Sequence, residues 1–321
     1  MSADIRFDDQ VVIITGAGRG LGRAHARYLA ARGAAIVVND LGTDLAGGGT
    51  DAVLARAVVE EIEAQGGQAV ASGANVETTA GAEAIVAAAI ERFGRVDAVI
   101  NNAGILAYKL FPEVELDSLM RHLAVHVAGT FNVTRAAWPH MVGRGYGRVV
   151  NTSSSGLFGS AGMLPYSTCK GALVSMTGAL AEAGAAHGIK VNAIAPAAET
   201  RMVTDTSLRA GVGLPPVEDD RPQDPTRAPE AVSPMIAVLA HQSCPVTGQI
   251  LSSGLGRLAR IFVGETEGFV EPGLGPEEIL MRWERIVQPG RYTTPASTAE
   301  YVTHREAQIA AAAGSTAPHD S

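Results

Sequence analysis

The chain is poor in the residues that build metal sites, disulfides and polyanion-binding surfaces. Its 321 residues include two cysteines, Cys169 and Cys244. These make no metal-ligand pattern and point to a reducing compartment. Lysine is rarer than tyrosine: there are six tyrosines and only Lys109, Lys170 and Lys190. A formal net charge of −8 offers no general attraction to nucleic acid or to anionic membranes. No apolar run approaches the roughly 18 residues of a membrane-spanning helix, so no membrane partner is expected. The segment 1–10 is polar and acidic, unlike a secretory signal, and the expected location is cytoplasmic. Apolar residues make up 46% of the chain, enough for a sizeable core.

Strand-like runs at 11–15, 35–39, 68–72, 96–101, 147–152, 189–194 and 248–252 alternate with helical stretches. That rhythm predicts an α/β fold, a Rossmann-like doubly wound parallel sheet of about seven strands with helices on both faces. Two segments break it. Residues 200–229 carry Pro215, Pro216, Pro222, Pro225 and Pro229 among acids, and read as a long loop. Residues 257–321 form an extension, which sets the expected division at 1–256 and 257–321. Pro276-Glu277-Glu278 reads as a helix start, followed by an apolar stripe of Ile279, Trp283, Ile286 and Val287. A tail this short cannot bury a core of its own and is expected to pack on the main domain or on a partner subunit.

Tyr166 and Lys170 are four residues apart and would share one face of a helix. A cation there favours the phenolate and is expected to pull the tyrosine pKa below its usual value of about 10. With so few lysines, only about 0.06 such pairs are expected by chance, so the spacing carries information that most short motifs lack. Ser153 lies thirteen residues before the tyrosine. Far upstream, a β-branched run from Val11 to Ile14 leads into a glycine turn holding Gly16, Arg19, Gly20, Leu21 and Gly22, and then into a helix that ends near Gly33. Strand, glycine turn and helix in that order suit a dinucleotide. The glycines admit the pyrophosphate to the backbone, and the helix N-terminus offers free N–H groups.

On these residues the chain resembles the short-chain dehydrogenase/reductase family over about residues 6 to 255. Thr15, Gly16, Gly20 and Gly22 match its Thr-Gly-x-x-x-Gly-x-Gly. Asn101, Asn102, Ala103 and Gly104 match its Asn-Asn-Ala-Gly, and Ser153, Tyr166 and Lys170 match its catalytic residues. The resemblance implies that Asn102, Ala103 and Gly104 meet the cofactor and that Asn75 and Val76 contact the adenine, with Asn in place of the usual Asp. It also implies that Pro196 and Thr200 meet the nicotinamide end, with Ala197 where the family has glycine. His126 replaces the usual Asn of Val-Asn-x-x-Gly. It either holds a water that relays protons to Lys170 or merely packs and hydrogen-bonds. Asp40, at the second strand's end, would accept from the adenosine ribose and repel a 2′-phosphate, so the expected cofactor is NAD; Arg19 argues the other way.

A narrower resemblance is to the dehydrogenase units of the type 2 multifunctional β-oxidation enzymes. It rests on Val37-Val38-Asn39-Asp40-Leu41-Gly42, on Thr134-Arg135-Ala136-Ala137-Trp138-Pro139-His140-Met141, and on His126. It implies oxidation of a (3R)-3-hydroxyacyl-CoA to the 3-ketoacyl-CoA, and a homodimer or homotetramer. The nearest rival reading is a 17β-hydroxysteroid or general alcohol dehydrogenase. A third, a silent nucleotide-sensing scaffold, fits poorly with an intact set of catalytic residues. For the phosphates of a CoA thioester, Arg201, Arg209, Arg221, Arg257 and Arg260 are the available cations, at least one of them expected at the pocket mouth.

Overall fold

A computed structural model describes residues 4–205, 210, 215, 224–288 and 290–315. It divides into two compact units, Met1–Arg260 and Ile261–Ser321.

In the first unit, seven strands are joined by helices. They are β1 (Val11–Thr15), β2 (Ala35–Asn39), β3 (Gln68–Ser72), β4 (Ala98–Asn101), β5 (Gly147–Thr152), β6 (Ile189–Ala197) and β7 (Ile250–Gly254). An eighth, β8 (Arg257–Ile261), adds at the edge, giving the order β3-β2-β1-β4-β5-β6-β7-β8. β1 pairs in parallel with both β2 and β4, and the chain winds outward from it in both directions. The carboxyl ends of β1 and β4 therefore flank the crevice where the winding reverses, the place an open α/β sheet offers a ligand. The doubly wound sheet expected from the sequence is present, with β8 beyond the expected seven.

The strands read as apolar runs because both faces of the sheet are covered. Val12 and Ile14 of β1 join Ile36, Val38, Ile100 and Ile194 on one face. There they pack under α1 (Gly20–Ala30), α2 (Val53–Ala64) and α8 (Ser233–Ala240). Val11 and Ile13 join Val37, Val99, Val149 and Val191 on the other. That face lies under α3 (Thr79–Phe93), α5 (Gly129–Arg144) and α6 (Leu164–Gly184). Each fully buried aliphatic side chain stabilises the fold by about 1.5–3 kcal/mol. Thr78 caps α3 by accepting from the Gly81 amide at 3.0 Å, and Gly94, with φ of 75°, ends it. At the amino ends of the same two strands the buried carboxylate of Asp97 accepts from Val11 N and from Arg95, tying β1 to β4.

Short α4 (Leu116–His122) runs through a π-helical turn, Leu123–Ala128, into α5. A four-residue helix, α7 (Arg201–Thr204), follows β6. The second unit holds a two-stranded antiparallel sheet, β9 (Glu265–Thr266) with β10 (Tyr292–Thr293). Its helices are α9 (Pro276–Met281), α10 (Trp283–Val287) and α11 (Thr298–Ser315). The expected stripe does not form one helix, because α9 and α10 break at Arg282. Neither helix buries a residue.

Candidate active site

The turn after β1 is built by hydrogen bonds that need its residue types. The Thr15 hydroxyl oxygen accepts from Asn102 N and Ala103 N, both at 3.0 Å. Asn102 Nδ2 donates to the Thr15 and Gly16 carbonyls, also at 3.0 Å. These four bonds lock the end of β1 against the end of β4. Gly16 has φ of 63°, and a Cβ there would lie 2.8 Å from Ala103 Cα; a Cβ at Gly22 would lie 2.2 Å from the Gly16 carbonyl oxygen. Glycine is required at both, the second for close packing of α1 on the turn. No side chain caps the first turn of α1, so its amides remain available to an anion.

These elements open on a cavity of about 890 Å³. Gly16, Arg19, Gly20, Leu21, Asp40, Asn75, Val76, Asn102, Ala103, Gly104, His126, Ser153, Tyr166, Lys170, Pro196 and Thr200 all line it. Of the expected site residues only Gly22 does not, since it works behind the wall. Asp40 is fixed by the amides of Gly18 and Gly42, each 2.7 Å from one carboxylate oxygen. Arg19 donates to the Thr43 carbonyl at 2.6 Å, and Arg201 reaches the same oxygen at 3.4 Å. Asn75 Oδ1 accepts from Glu77 N at 3.0 Å, and Asn132 Nδ2 donates to the carbonyls of Val76 and Glu77, so the expected adenine wall is held from behind. Pro196 lies inside β6, opposite Ser253, where the sequence suggested a segment beyond the strand.

At the other end of the cavity α6 presents Tyr166 and Lys170. Lys170 is buried, donates to the Thr152 carbonyl at 2.6 Å, and holds its Nζ 5.3 Å from the centre of the Tyr166 ring. The expected Ser153 and its neighbour Ser154 both line the cavity but make different bonds. Ser153 is buried and its hydroxyl donates to the Lys170 carbonyl at 2.9 Å, into the backbone of α6. Ser154 stands close enough to the Tyr166 hydroxyl for its own hydroxyl to lower the tyrosine's pKa. The reason is strand geometry. Ser153 N continues the ladder to Ile194 O, so Ser153 falls on the same face as Asn151, which bonds Thr177 of α6. The next residue points the other way. Counting back from Tyr166 selects Ser153, whereas strand alternation from Asn151 puts Ser154 on the opposite face.

The tyrosine's proton affinity also departs from expectation. Burial pushes the Tyr166 pKa up, opposed by the Ser154 hydrogen bond. Lys170 does not pull it down in the free chain, because burial pushes the lysine itself down to about 7.

His126 is buried at the back of the site, with its ring edge-on to Tyr166 at 5.4 Å. Its Nε2 lies 2.8 Å from the Ile105 carbonyl oxygen and 3.1 Å from Ile105 N. Burial holds its pKa well below the ordinary value, and the neighbouring Lys170 adds to this. Among the arginines foreseen for a pocket mouth, Arg201 lines the cavity, while Arg257 and Arg260 do not; Arg209 and Arg221 lie outside the described residues. Arg227, which the sequence did not single out, also lines it, paired with Glu199 at 3.2 Å and Asp224 at 3.3 Å. Thr43 and Gly47 of the β2–α2 loop line it as well. Their contribution is a backbone path, which leaves no side-chain signature.

Residues 10–210 match the family model described as short chain dehydrogenase. The peroxisomal multifunctional enzyme type 2 of Mus musculus is 38% identical over 307 residues, covering 94% of this chain. The chain spans 40% of that protein's length. A crystal structure of a short chain dehydrogenase from Mycobacterium avium matches with a TM-score of 0.74 and 35% identity, covering 89% of this chain and 97% of that one. A 7α-hydroxysteroid dehydrogenase, solved with NADH and 7-oxo glycochenodeoxycholic acid, matches with a TM-score of 0.66 and 27% identity, covering 80% of this chain and 98% of that one. The chain belongs to the short chain dehydrogenase family and is an oxidoreductase acting on CH–OH groups.

Proposed function

We propose that this protein oxidises a secondary alcohol to a ketone with NAD, and that its substrate is a (3R)-3-hydroxyacyl-CoA. The observation that carries the reading is one cavity with two ends. A glycine cradle and uncapped helix start lie at one, and Ser154, Tyr166 and Lys170 at the other. The residues fit a dinucleotide: a Cβ at Gly16 or Gly22 would fill the cradle, and Asp40 lines the wall at the end of β2. Asp40 favours NAD because a carboxylate held there by two amides would face a 2′-phosphate as a like charge. Arg19 is engaged by the Thr43 carbonyl.

When bound, the oxidised nicotinamide supplies the hydride acceptor. Ser154 Oγ holds the alcohol oxygen, and Tyr166 Oη takes its proton. Lys170 would hold the cofactor ribose and, when protonated, would favour the phenolate. Gly104, Pro196 and Thr200 shape the nicotinamide end. Arg201, on the cavity wall, is the cation that suits the phosphates of a CoA thioester. The likeness to the type 2 multifunctional enzyme supports the acyl-CoA substrate; the likeness to the 7α-hydroxysteroid dehydrogenase supports a steroid as the second reading.

The test is a panel of a (3R)-hydroxyacyl-CoA, a free hydroxysteroid and a short alcohol, each with NAD and with NADP, followed by nicotinamide absorbance. The acyl-CoA with NAD should give the highest kcat/KM, and Arg201→Ala should raise its KM while leaving that of the short alcohol unchanged. Turnover of the steroid alone would overturn the acyl-CoA reading.

A further inference from the structure

The loop between β2 and α2 is closed at its neck and folded on itself. Asp51 N donates to the Leu41 carbonyl at 3.0 Å. A Cβ on Gly42 would lie 2.2 Å from the Asp51 carbonyl oxygen, so the neck closes only with glycine there. Beyond the neck, Asp44 N donates to the Gly48 carbonyl at 2.8 Å, and the Asp44 carboxylate accepts from Gly48 N at 2.8 Å.

This folded loop is tied to elements beyond β1. Leu106 N, in the loop after β4, donates to the Leu45 carbonyl at 2.8 Å. Arg121 Nη1, on α4, donates to the Ala46 carbonyl at 3.3 Å. Gly47 packs close to Ile105: a Cβ on it would stand 3.2 Å from Ile105 Cγ2. Arg19 of the glycine turn and Arg201 of α7 both donate to the Thr43 carbonyl.

In the sheet β1 stands between β2 and β4. A loop that leaves the end of β2 and is tied to the loop after β4 therefore crosses the end of β1, where the glycine turn lies. Thr43 and Gly47 line the cavity, so the crossing is over the cavity itself. The wall of Asp40 and Asn75 follows β2 and β3, whereas Tyr166 and Lys170 stand on α6, after β5. A dinucleotide reaching from one to the other passes beneath the crossing.

The four bonds that hold the crossing all end on backbone carbonyls, Thr43 twice, Leu45 and Ala46. A guanidinium on a neutral carbonyl is held less tightly than one paired in a fork with a carboxylate. The loop is thus fastened by bonds that can release without parting an ion pair.

We infer that residues 43–50 form a strap that must release for the dinucleotide to enter or leave, and that Arg121 is a positioning residue that sets how often it does. The inference rests on the dinucleotide reading of the cavity. Arg121 is not among the residues that line the cavity, and it acts on the cofactor only through the Ala46 carbonyl. A loosened strap opens more often whether the cavity is empty or filled. Association and dissociation then quicken together, and Kd moves less than either rate.

The experiment is stopped-flow fluorescence of NADH, or of NADPH if the wild type binds that more tightly, with dissociation started by an excess of the oxidised cofactor. The variants are Arg121→Ala, Arg121→Lys, which keeps a donor, and a chain lacking residues 44–48. In the wild type the association rate should level off at high cofactor concentration, at the rate of strap opening. Arg121→Ala should raise that plateau and the dissociation rate together, each roughly fivefold, at an unchanged Tm. Arg121→Lys should bring both back toward wild type, and the deletion should remove the plateau. A wild-type association rate that climbs in proportion to cofactor throughout would overturn the inference, as would wild-type rates in the deletion variant. So would faster dissociation alone in Arg121→Ala, the mark of a lost contact without a strap to open. Failure of the wild type to bind either cofactor would refute the dinucleotide reading itself. Binding at rates indifferent to Arg121 and to the deletion would leave that reading standing and refute the strap alone.

Discussion

Two adjacent serines, each with its own bond, make the sharpest prediction. Ser153 donates to the Lys170 carbonyl at 2.9 Å inside the protein, and Ser154 stands close to the Tyr166 hydroxyl on the cavity wall. In the proposed reaction, Ser154→Ala removes the donor that holds the alcohol oxygen. Loss of one such preorganised donor costs about 10²–10³ in kcat, or about 3–4 kcal/mol of transition-state stabilisation. Ser153→Ala removes one buried neutral hydrogen bond, worth about 0.5–1.5 kcal/mol of stability. In a unit of this size that lowers Tm by about 1–6 °C. The assay is a pair of kinetic and thermal-melt measurements on the two alanine variants. Ser154→Ala should lose kcat at nearly unchanged Tm, and Ser153→Ala should lose Tm at nearly unchanged kcat. The reverse pattern, a hundredfold loss of kcat in Ser153→Ala with Ser154→Ala close to wild type, would refute the assignment.

Tyr166→Phe should lower kcat at least a hundredfold while cofactor Kd stays close to wild type; retention of more than about a tenth of kcat would count against a proton-accepting hydroxyl. Asp40→Ala should narrow the preference for NAD over NADP in kcat/KM, and a wild type that already favours NADP would show that Arg19 outweighs the carboxylate. Burial holds Tyr166 above its ordinary pKa, so kcat for alcohol oxidation should rise as pH increases above neutrality, measured in a pH series at saturating substrates; a flat or falling profile would contradict this. His25 is fully buried against Ser233 at 2.9 Å, and its pKa is pushed down to about 3. The unfolded chain binds this proton near pH 6.5 and the folded chain does not, so stability is full above that value and falls with pH. The loss should be about 2 kcal/mol between pH 6.5 and 5 in urea melts, with His122 and His126 adding in the same direction, and His25→Gln should flatten the slope.

The parallel sheet was legible because its physics is local. Buried strands must be short apolar β-branched runs, and Val11–Thr15, Ala35–Asn39 and Gly147–Thr152 fall where such runs stand. β4 begins at Ala98, later than the apolar pattern suggests, because Asp97 is spent accepting from Val11 N and Arg95 at the strand's entry. β6 extends through Pro196 to Ala197, which the sequence placed beyond the strand, since a proline lacks only the donor and its carbonyl can still pair. The tail was harder. A stripe of Ile279, Trp283, Ile286 and Val287 has helical spacing, yet spacing cannot register the break at Arg282 between two helices of six and five residues.

The site was legible in its residue types, whereas side-chain direction was not. Glycine at 16 and 22 was legible because a Cβ would clash there, and Tyr166 and Lys170 because of their helical spacing. Ser153 and Ser154 carry the same chemistry, and only the two-residue alternation of β5 separates the one that bonds helix α6 from the one that stands by Tyr166. The tyrosine's pKa depends on burial in the same way. A lysine four residues from a tyrosine acts as a charge only if it overcomes its own desolvation in a low-dielectric interior. With Lys170 buried and brought to about 7, the tyrosine gains no fixed cation in the free protein. Behind it stand His126 and His122, two more bases whose pKa values the same burial lowers, so the interior beside Tyr166 resists positive charge at three neighbouring positions.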